Sequence, residues 1–174
     1  MLRFVVEEIP ESGLEVHHHM DPTWISPLMG PQFSPGTEGL DLTADLTRAD
    51  RLVLVQGRIA GHATFQCSRC LAESPWTVEV SFRHLFVEDE VHARRFPGEV
   101  SEGDEMETSP YQDGVVDLEP LLAEELVLSL PQAPLCSEAC RGLCQRCGKN
   151  LNEGPCGCPA EEEDPRWAPL KRIH

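Results

Sequence analysis

Leu40, Leu42, Ala44 and Leu46 alternate with Asp41, Thr43, Asp45 and Thr47. This period of two puts the apolar set on one face of a half-buried strand. After a turn at Arg48-Ala49-Asp50, residues 52–66 place Val53, Val55, Ile59, Ala63 and Phe65 on one side, and Gly57 and Gly61 are expected to permit a bend or a bulge. Residues 67–75 interrupt the pattern. Alternation then resumes with Trp76, Val78, Val80, Phe82 and Phe86. Three consecutive strands with short links predict an antiparallel meander, packed on one face and wet on the other.

Upstream, residues 2–9 and 14–20 read as two short strands joined by a Pro-Glu-Ser-Gly turn. Strand geometry sends His17 and His19 to one face and His18 to the other, so the three cannot converge on one metal. Residues 21–38 are rich in Pro and Gly and read as a connection, with Trp24, Ile25, Leu28 and Phe33 covering a core edge. Residues 88–114 are acidic and lack periodicity, which predicts a mobile surface loop without a site. A helix is expected over 118–130, with Asp117 as its cap, Pro120 in its first turn, and Leu118, Leu121, Leu122 and Leu126 as its core stripe. Pro131 and Pro134 end it.

Charge divides the chain unevenly. The net charge of −16 lies entirely in residues 1–135, which hold 24 acidic and 8 basic side chains; residues 136–174 hold 6 of each. A general grip on phosphate backbones is excluded for the front half, because it needs clustered Lys and Arg. An acidic half fits a basic protein partner or simple solubility. The first residues lack the basic and apolar regions of a secretory signal, and no stretch approaches the roughly 18 apolar residues that span a bilayer. A cytoplasmic protein is therefore expected, with no membrane association. In that compartment thiols stay reduced, so the 8 cysteines read as metal ligands rather than disulfides.

Their spacing supports this. Cys67-Ser-Arg-Cys70 is a C-x2-C pair at a strand end, and Cys136, Cys140, Cys144, Cys147, Cys156 and Cys158 follow as C-x3-C-x3-C-x2-C-x8-C-x-C. A C-x2-C turn places two sulfurs on one side of a tight loop, and tetrahedral zinc needs two more soft ligands at about 2.3 Å. Cys144, Cys147, Cys156 and Cys158 are expected to form one site. Cys67, Cys70, Cys136 and Cys140 would form a second, closing a loop of about 70 residues through metal. Other pairings stay open, as does a single zinc with the remaining cysteines buried.

A dithiol oxidoreductase would open a helix with its C-x2-C pair, and the spacing does not fit the ferredoxin runs. A catalytic zinc usually recruits His or carboxylate ligands. His62, His84, His92 and His174 lie far from the cluster in sequence and show no paired spacing. Structural zinc is the favoured reading, with a dithiol oxidoreductase or an iron–sulfur cluster left open. Phosphate loops, nucleotide fingerprints, Ser/His/Asp signatures and HExxH are all missing. The chain reads as a non-enzyme, and no small-molecule substrate is expected.

The segments GRIAGHATFQCSRCLAESPWTVEV, VVDLEPLLAEELVLSLPQAPLC, SEACRGLCQRCGKNLNEGPCGC and DPRWAPLKRI together resemble the bacterial YceD family, named for accumulation of large-subunit ribosomal RNA. The family's motif residues fall on Cys67, Arg69 and Cys70, on Cys136 through Cys158, and on Asp164, Pro165 and Arg166. Trp167 stands where the family more often has an aliphatic residue. The resemblance implies a role in making or stabilising large-subunit rRNA during ribosome assembly. Arg69, Arg141, Arg146 and Lys149 around the knuckles, with Arg166, Lys171 and Arg172 in the tail, are the candidate rRNA contacts. Alternatives are an acidic adaptor for a basic ribosomal protein and a zinc- or redox-responsive regulator. The expected fold is α+β: a small antiparallel meander packed by one helix, with a C-terminal cysteine-rich zinc module. Residues 1–135 would form the sheet-and-helix domain, 136–160 the zinc module and 161–174 a tail.

Overall fold

The alternating residues of the central meander become three long strands, β4 (Leu40–Ala49), β5 (Leu52–Gln66) and β6 (Glu73–Glu88). The structure, a computed structural model, describes residues 2–88 and 107–159. Strand β4 buries Leu40, Leu42, Ala44 and Leu46 and exposes the residues between them, as the period of two requires. Val53, Val55, Ile59, Ala63 and Phe65 are buried on β5, and Val78, Phe82 and Phe86 on β6.

The glycines of β5 do not make a bulge. Pairing runs without a break from Leu40↔Gly61 to Ala49↔Leu52, and from Leu52↔Val87 to Gln66↔Glu73. What Gly57 provides is room. A Cβ there would stand 2.6 Å from the Phe82 ring and 2.9 Å from the Thr43 carbonyl oxygen. The absent side chain is the space into which a cross-strand aromatic ring packs.

The sheet is wider than the meander. Strand β2 (Leu14–Met20) adds antiparallel to β4, β3 (Phe33–Ser34) pairs with the far end of β5, and β7 (Glu107–Tyr111) adds parallel to β6. The result is a six-stranded mixed sheet. The expected loop at 88–114 is thus corrected at its C-terminal end. Pro110 is tolerated in β7 because only one side of that strand is paired among the described residues. Asp113 and Gly114 then take positive φ, 53° and 68°, and turn the chain tightly between Gln112 and Val115. The rest of the expected loop, 89–106, lies outside the described residues.

The two N-terminal strands are not partners. β1 (Arg3–Val5) pairs with β8 (Val115–Asp117) in a separate two-stranded sheet, and a 3₁₀ turn at Val6–Glu8 carries the chain away towards β2. On β2, His17 and His19 share the exposed face while His18 is half-buried on the other.

Two helices cover the apolar face instead of one. Residues 21–38 are not merely connection, because α1 (Pro22–Met29) forms within them. Asp21 caps it, accepting from the Thr23 backbone N–H at 2.8 Å and the Thr23 hydroxyl at 2.7 Å. Pro22 stands in the first turn, where no N–H is needed, and Gly30 at φ 71° ends the helix. Helix α2 (Glu119–Ser129) follows β8. The Asp117 carboxylate accepts from the Glu119 N–H at 3.0 Å, as its position suggests.

Ile25 and Met29 of α1 join Leu118, Leu121, Leu122 and Leu126 over the sheet in one core. Each fully buried Leu or Ile contributes about 2 kcal/mol of transfer free energy. A second, smaller core lies at the end of β5, where Phe65, Cys67, Cys70 and Cys140 pack with Phe33, Trp76, Leu135 and Leu143. No helix among the described residues is long and apolar enough to cross a membrane.

Candidate metal centres

The eight cysteines converge in two sets of four: Cys67, Cys70, Cys136 and Cys140, and Cys144, Cys147, Cys156 and Cys158. Within each set every sulfur lies within 4.8 Å of the others. These are the two groupings that the spacing favours.

The first set is built where β5 ends. Cys67 closes a tight turn, with its N–H bonded to the Ala72 carbonyl at 2.9 Å and its own carbonyl accepting from Leu71 at 2.9 Å. Leu71 takes φ 59°, an uncommon conformation for a branched residue, and stays exposed. The Ser68 N–H reaches the Pro134 carbonyl at 2.9 Å, so the segment leaving α2 is stitched to the knuckle just before Cys136. The Cys67 and Cys140 sulfurs are 3.8 Å apart, and those of Cys70 and Cys136 3.6 Å. A disulfide would need about 2.05 Å. A tetrahedron with metal–sulfur bonds of about 2.3 Å has edges near 3.8 Å, so the donor set fits a tetrahedral thiolate site.

The electrostatics agree. Burial pushes the Cys67 thiol up, but the backbone N–H groups of Cys136, Cys70 and Arg69 outweigh it and bring the value to about 6. Cys136 is pushed up to about 12, chiefly by its contacts with the Cys70 and Cys140 sulfurs. Four thiols so close cannot all ionise unaided. A cation in their midst removes the conflict.

The second set repeats the device. The Cys144 N–H bonds the Lys149 carbonyl at 2.8 Å and the Gly148 N–H returns to the Cys144 carbonyl at 2.9 Å, with Gly148 at φ 70°. The backbone N–H groups of Cys147 and Arg146 hold the Cys144 thiol down to about 6, while Cys158 rises to about 12 beside the Cys147 sulfur. A 3₁₀ turn at Leu151–Glu153 bridges the knuckle to Cys156 and Cys158.

The two centres are joined by a residue that spacing does not single out. Asn152 donates from Nδ2 to the Cys140 sulfur at 3.3 Å, and its Oδ1 accepts from the Arg141 backbone N–H at 2.8 Å. Gly142, at φ 72°, lets the two loops touch: a Cβ there would come within 3.1 Å of the Arg69 carbonyl oxygen.

The candidate rRNA contacts divide. Arg69 donates from Nη1 to the Cys140 carbonyl at 3.0 Å, and Lys149 from Nζ to the Pro155 carbonyl at 3.0 Å. The Arg141 and Arg146 side chains are exposed around the second centre. Arg166, Lys171 and Arg172 lie outside the described residues, as do Asp164, Pro165 and Trp167.

One buried polar residue had no sequence signal beyond its parity on β6. His84 lies on the inward face and is only 4% exposed. Its Nε2 is 3.0 Å from the Ser109 hydroxyl of β7, and its Nδ1 is 3.9 Å from the Glu107 carboxylate. Burial lowers its pKa, against an opposing pull from Glu107 and Glu124.

Comparison with known proteins supplies the remaining context. No solved structure matches the chain. An uncharacterised protein of Mycobacterium tuberculosis is 34% identical over 131 residues, covering 75% of this chain and 60% of that protein. The chain thus spans about 60% of the length of the mycobacterial relatives it matches. The chloroplastic large ribosomal RNA subunit accumulation protein YCED homolog 1 of Arabidopsis thaliana is 22% identical over 159 residues, 80% of this chain and 50% of the homologue. The uncharacterised protein YlbN of Bacillus subtilis is 27% identical over 124 residues, 66% and 62% of the two chains. Residues 55–174, which carry all eight cysteines, match the family described as large ribosomal RNA subunit accumulation protein YceD, and the chain belongs to that family.

Proposed function

We propose that this protein is a non-enzymatic cytoplasmic factor in large-subunit rRNA accumulation and ribosome assembly, held in shape by two structural zinc ions. The observation that carries the reading is the convergence of eight thiols into two tetrahedral sets in a chain of the YceD family. Zinc is the metal of choice for an all-thiolate tetrahedron in a reducing compartment, and such closed sites stabilise loops rather than catalyse. Zinc bound by Cys67, Cys70, Cys136 and Cys140 clamps the segment after α2 to the end of β5. The second ion rigidifies the loop that displays Arg141 and Arg146, and this loop is the surface that meets rRNA. Residues 136–160 act as the zinc module on the sheet-and-helix domain of 1–135, and the cations of 161–174 add to its charge.

Depletion of the protein in its own host tests this. Large-subunit rRNA should fall relative to small-subunit rRNA, and be restored by the wild-type gene but not by Cys67→Ser. Unchanged rRNA would overturn the reading. A second reading, an acidic adaptor for a basic ribosomal protein, is favoured by the open sheet face, where Glu15 and Asp45 sit directly opposite each other on β2 and β4. Like charges so placed are relieved by a cationic partner. Charge reversal at Arg141, Arg146 and Lys149 should abolish direct rRNA contact and spare such an adaptor.

A further inference from the structure

Beside the second cysteine set lies an open cleft of about 360 Å³. It is lined by the apolar Leu143, Leu151 and Pro159, by Gln145, Arg141 and Arg146, and by Cys144, Cys156 and Cys158 of the set. We infer that this cleft receives one unpaired, unstacked nucleotide of single-stranded RNA. This inference rests on the rRNA-contact reading and names the ligand of that surface.

Size is the first support. The volume falls at the small end of the roughly 300–1,000 Å³ of ligand pockets, room for one nucleotide and too little for a duplex. Lining is the second. Apolar walls take the faces of a base, a Gln amide can both donate to and accept from a base edge, and guanidinium groups stack on bases or pair with phosphate.

The third support is the comparison of the two knuckles. Both have the form Cys-x-Arg-Cys, yet their arginines are used differently. Arg69 in the first is bonded to the Cys140 carbonyl. Arg146 in the second, and the guanidinium of Arg141, have no hydrogen-bond or ion-pair partner among the described residues. Elsewhere Arg3, Arg51 and Arg58 are paired with Asp117, Glu88 and Glu79, and Arg48 with the Val6 carbonyl. Arg83 on β6 is also without a partner among the described residues, but it stands alone; Arg141 and Arg146 set two spare cations beside one cleft in a chain of net charge −16, which makes it a place where an anion is welcome.

The test uses the full-length zinc-loaded protein at low salt, with short fluorescein-labelled single strands of uridine and of adenosine and a blunt RNA duplex as probes. Fluorescence anisotropy should show binding of single strands in preference to the duplex. Arg141→Ala with Arg146→Ala should weaken it at least about tenfold, the scale of one lost base contact. Zinc content and melting temperature should stay those of wild type. Leu151→Asp should weaken binding similarly, and 4-thiouridine in the strand should crosslink within residues 141–159. Single-strand binding that ignores these substitutions, or crosslinks elsewhere, overturns the cleft and leaves rRNA contact standing. Equal affinity for duplex overturns the cleft as well. No binding to any RNA removes both the cleft and direct rRNA contact, while the depletion phenotype would still report the pathway.

Discussion

Asn152 and Cys140 belong to the loops of different cysteine sets, yet the Asn152 amide donates to the Cys140 sulfur at 3.3 Å. A hydrogen bond to a thiolate offsets part of the charge that four sulfurs concentrate, and this one comes from the segment that completes the other centre. The two centres are therefore mechanically and electrostatically joined.

With the two proposed zinc ions bound, Asn152→Ala should leave the metal content unchanged but lower stability by about 1.5–3 kcal/mol, the range for a hydrogen bond to a charged group. Asn152→Asp should be worse, because it sets a carboxylate against the thiolate. Denaturant unfolding with parallel elemental analysis checks both. If Asn152→Ala loses the first zinc outright, the residue matters more than a supporting bond would.

The two centres should differ in what their loss costs. Cys70 and Cys136, ligands of the first proposed zinc, stand at the ends of a long stretch of chain that includes β6, β7 and α2. Untying a loop of that length returns on the order of 4 kcal/mol of chain entropy to the unfolded state. Cys70→Ser should therefore lower the melting temperature far more than Cys147→Ser, whose centre closes short loops. Chelator titration followed by circular dichroism should show the same order.

Gly57 is the fold's tightest strand position for a test. Gly57→Ala drives a methyl group towards the Phe82 ring at 2.6 Å and the Thr43 carbonyl at 2.9 Å. Overpacking of this kind costs about 1–3 kcal/mol. Pairing it with Phe82→Leu should recover much of the loss, since the smaller side chain vacates the contested space. Thermal melts of the single and double variants give the coupling.

His84 makes stability depend on pH. Its folded pKa lies below the ordinary 6.5 because burial penalises the charged ring. As pH falls through 6.5 the unfolded chain takes up a proton that the folded chain refuses, so stability present above 6.5 is lost on acidification. The slope approaches about 1.4 kcal/mol per pH unit for one proton. His84→Gln, which can still reach Ser109, should remove this slope below pH 6.5. Glu125 acts with the opposite sign: burial, then Glu107 and Glu124, raise its pKa above 4.5, so stability is lost as pH rises above that value.

The legible parts of the chain were those with strong local periodicity. Leu40 to Leu46 fixed a strand face because only one face of β4 is buried, and the leucines of α2 marked its stripe. The sulfur groupings were legible because a knuckle is a local turn. Helix α1 was hidden by three prolines and a glycine between Pro22 and Pro31, although Asp21-Pro22 is a start signal in its own right. Strand β7 carries no alternation, since Glu107, Ser109 and Pro110 are not apolar, and its pairing is set by a distant strand. Arg69 and Arg146 occupy equivalent positions in equivalent motifs. Which of them is bonded within the fold depends on the Cys140 carbonyl approaching from the far side, and no spacing records that.

The pairing of β1 with β8 has a consequence for how the chain is made. Arg3 is synthesised more than a hundred residues before its partner Asp117. Strand β2 can pair once β4 is out, whereas β1 must wait with its edge unmatched. The last staple, Cys136 and Cys140 onto Cys67 and Cys70, comes later still. The fold thus closes only after Cys140 has been made, and a fragment restricted to the family-matched residues 55–174 would lack β1, β2, α1, β3 and β4 and leave Val116 and Ile59 without their strand partners Phe4 and Leu42.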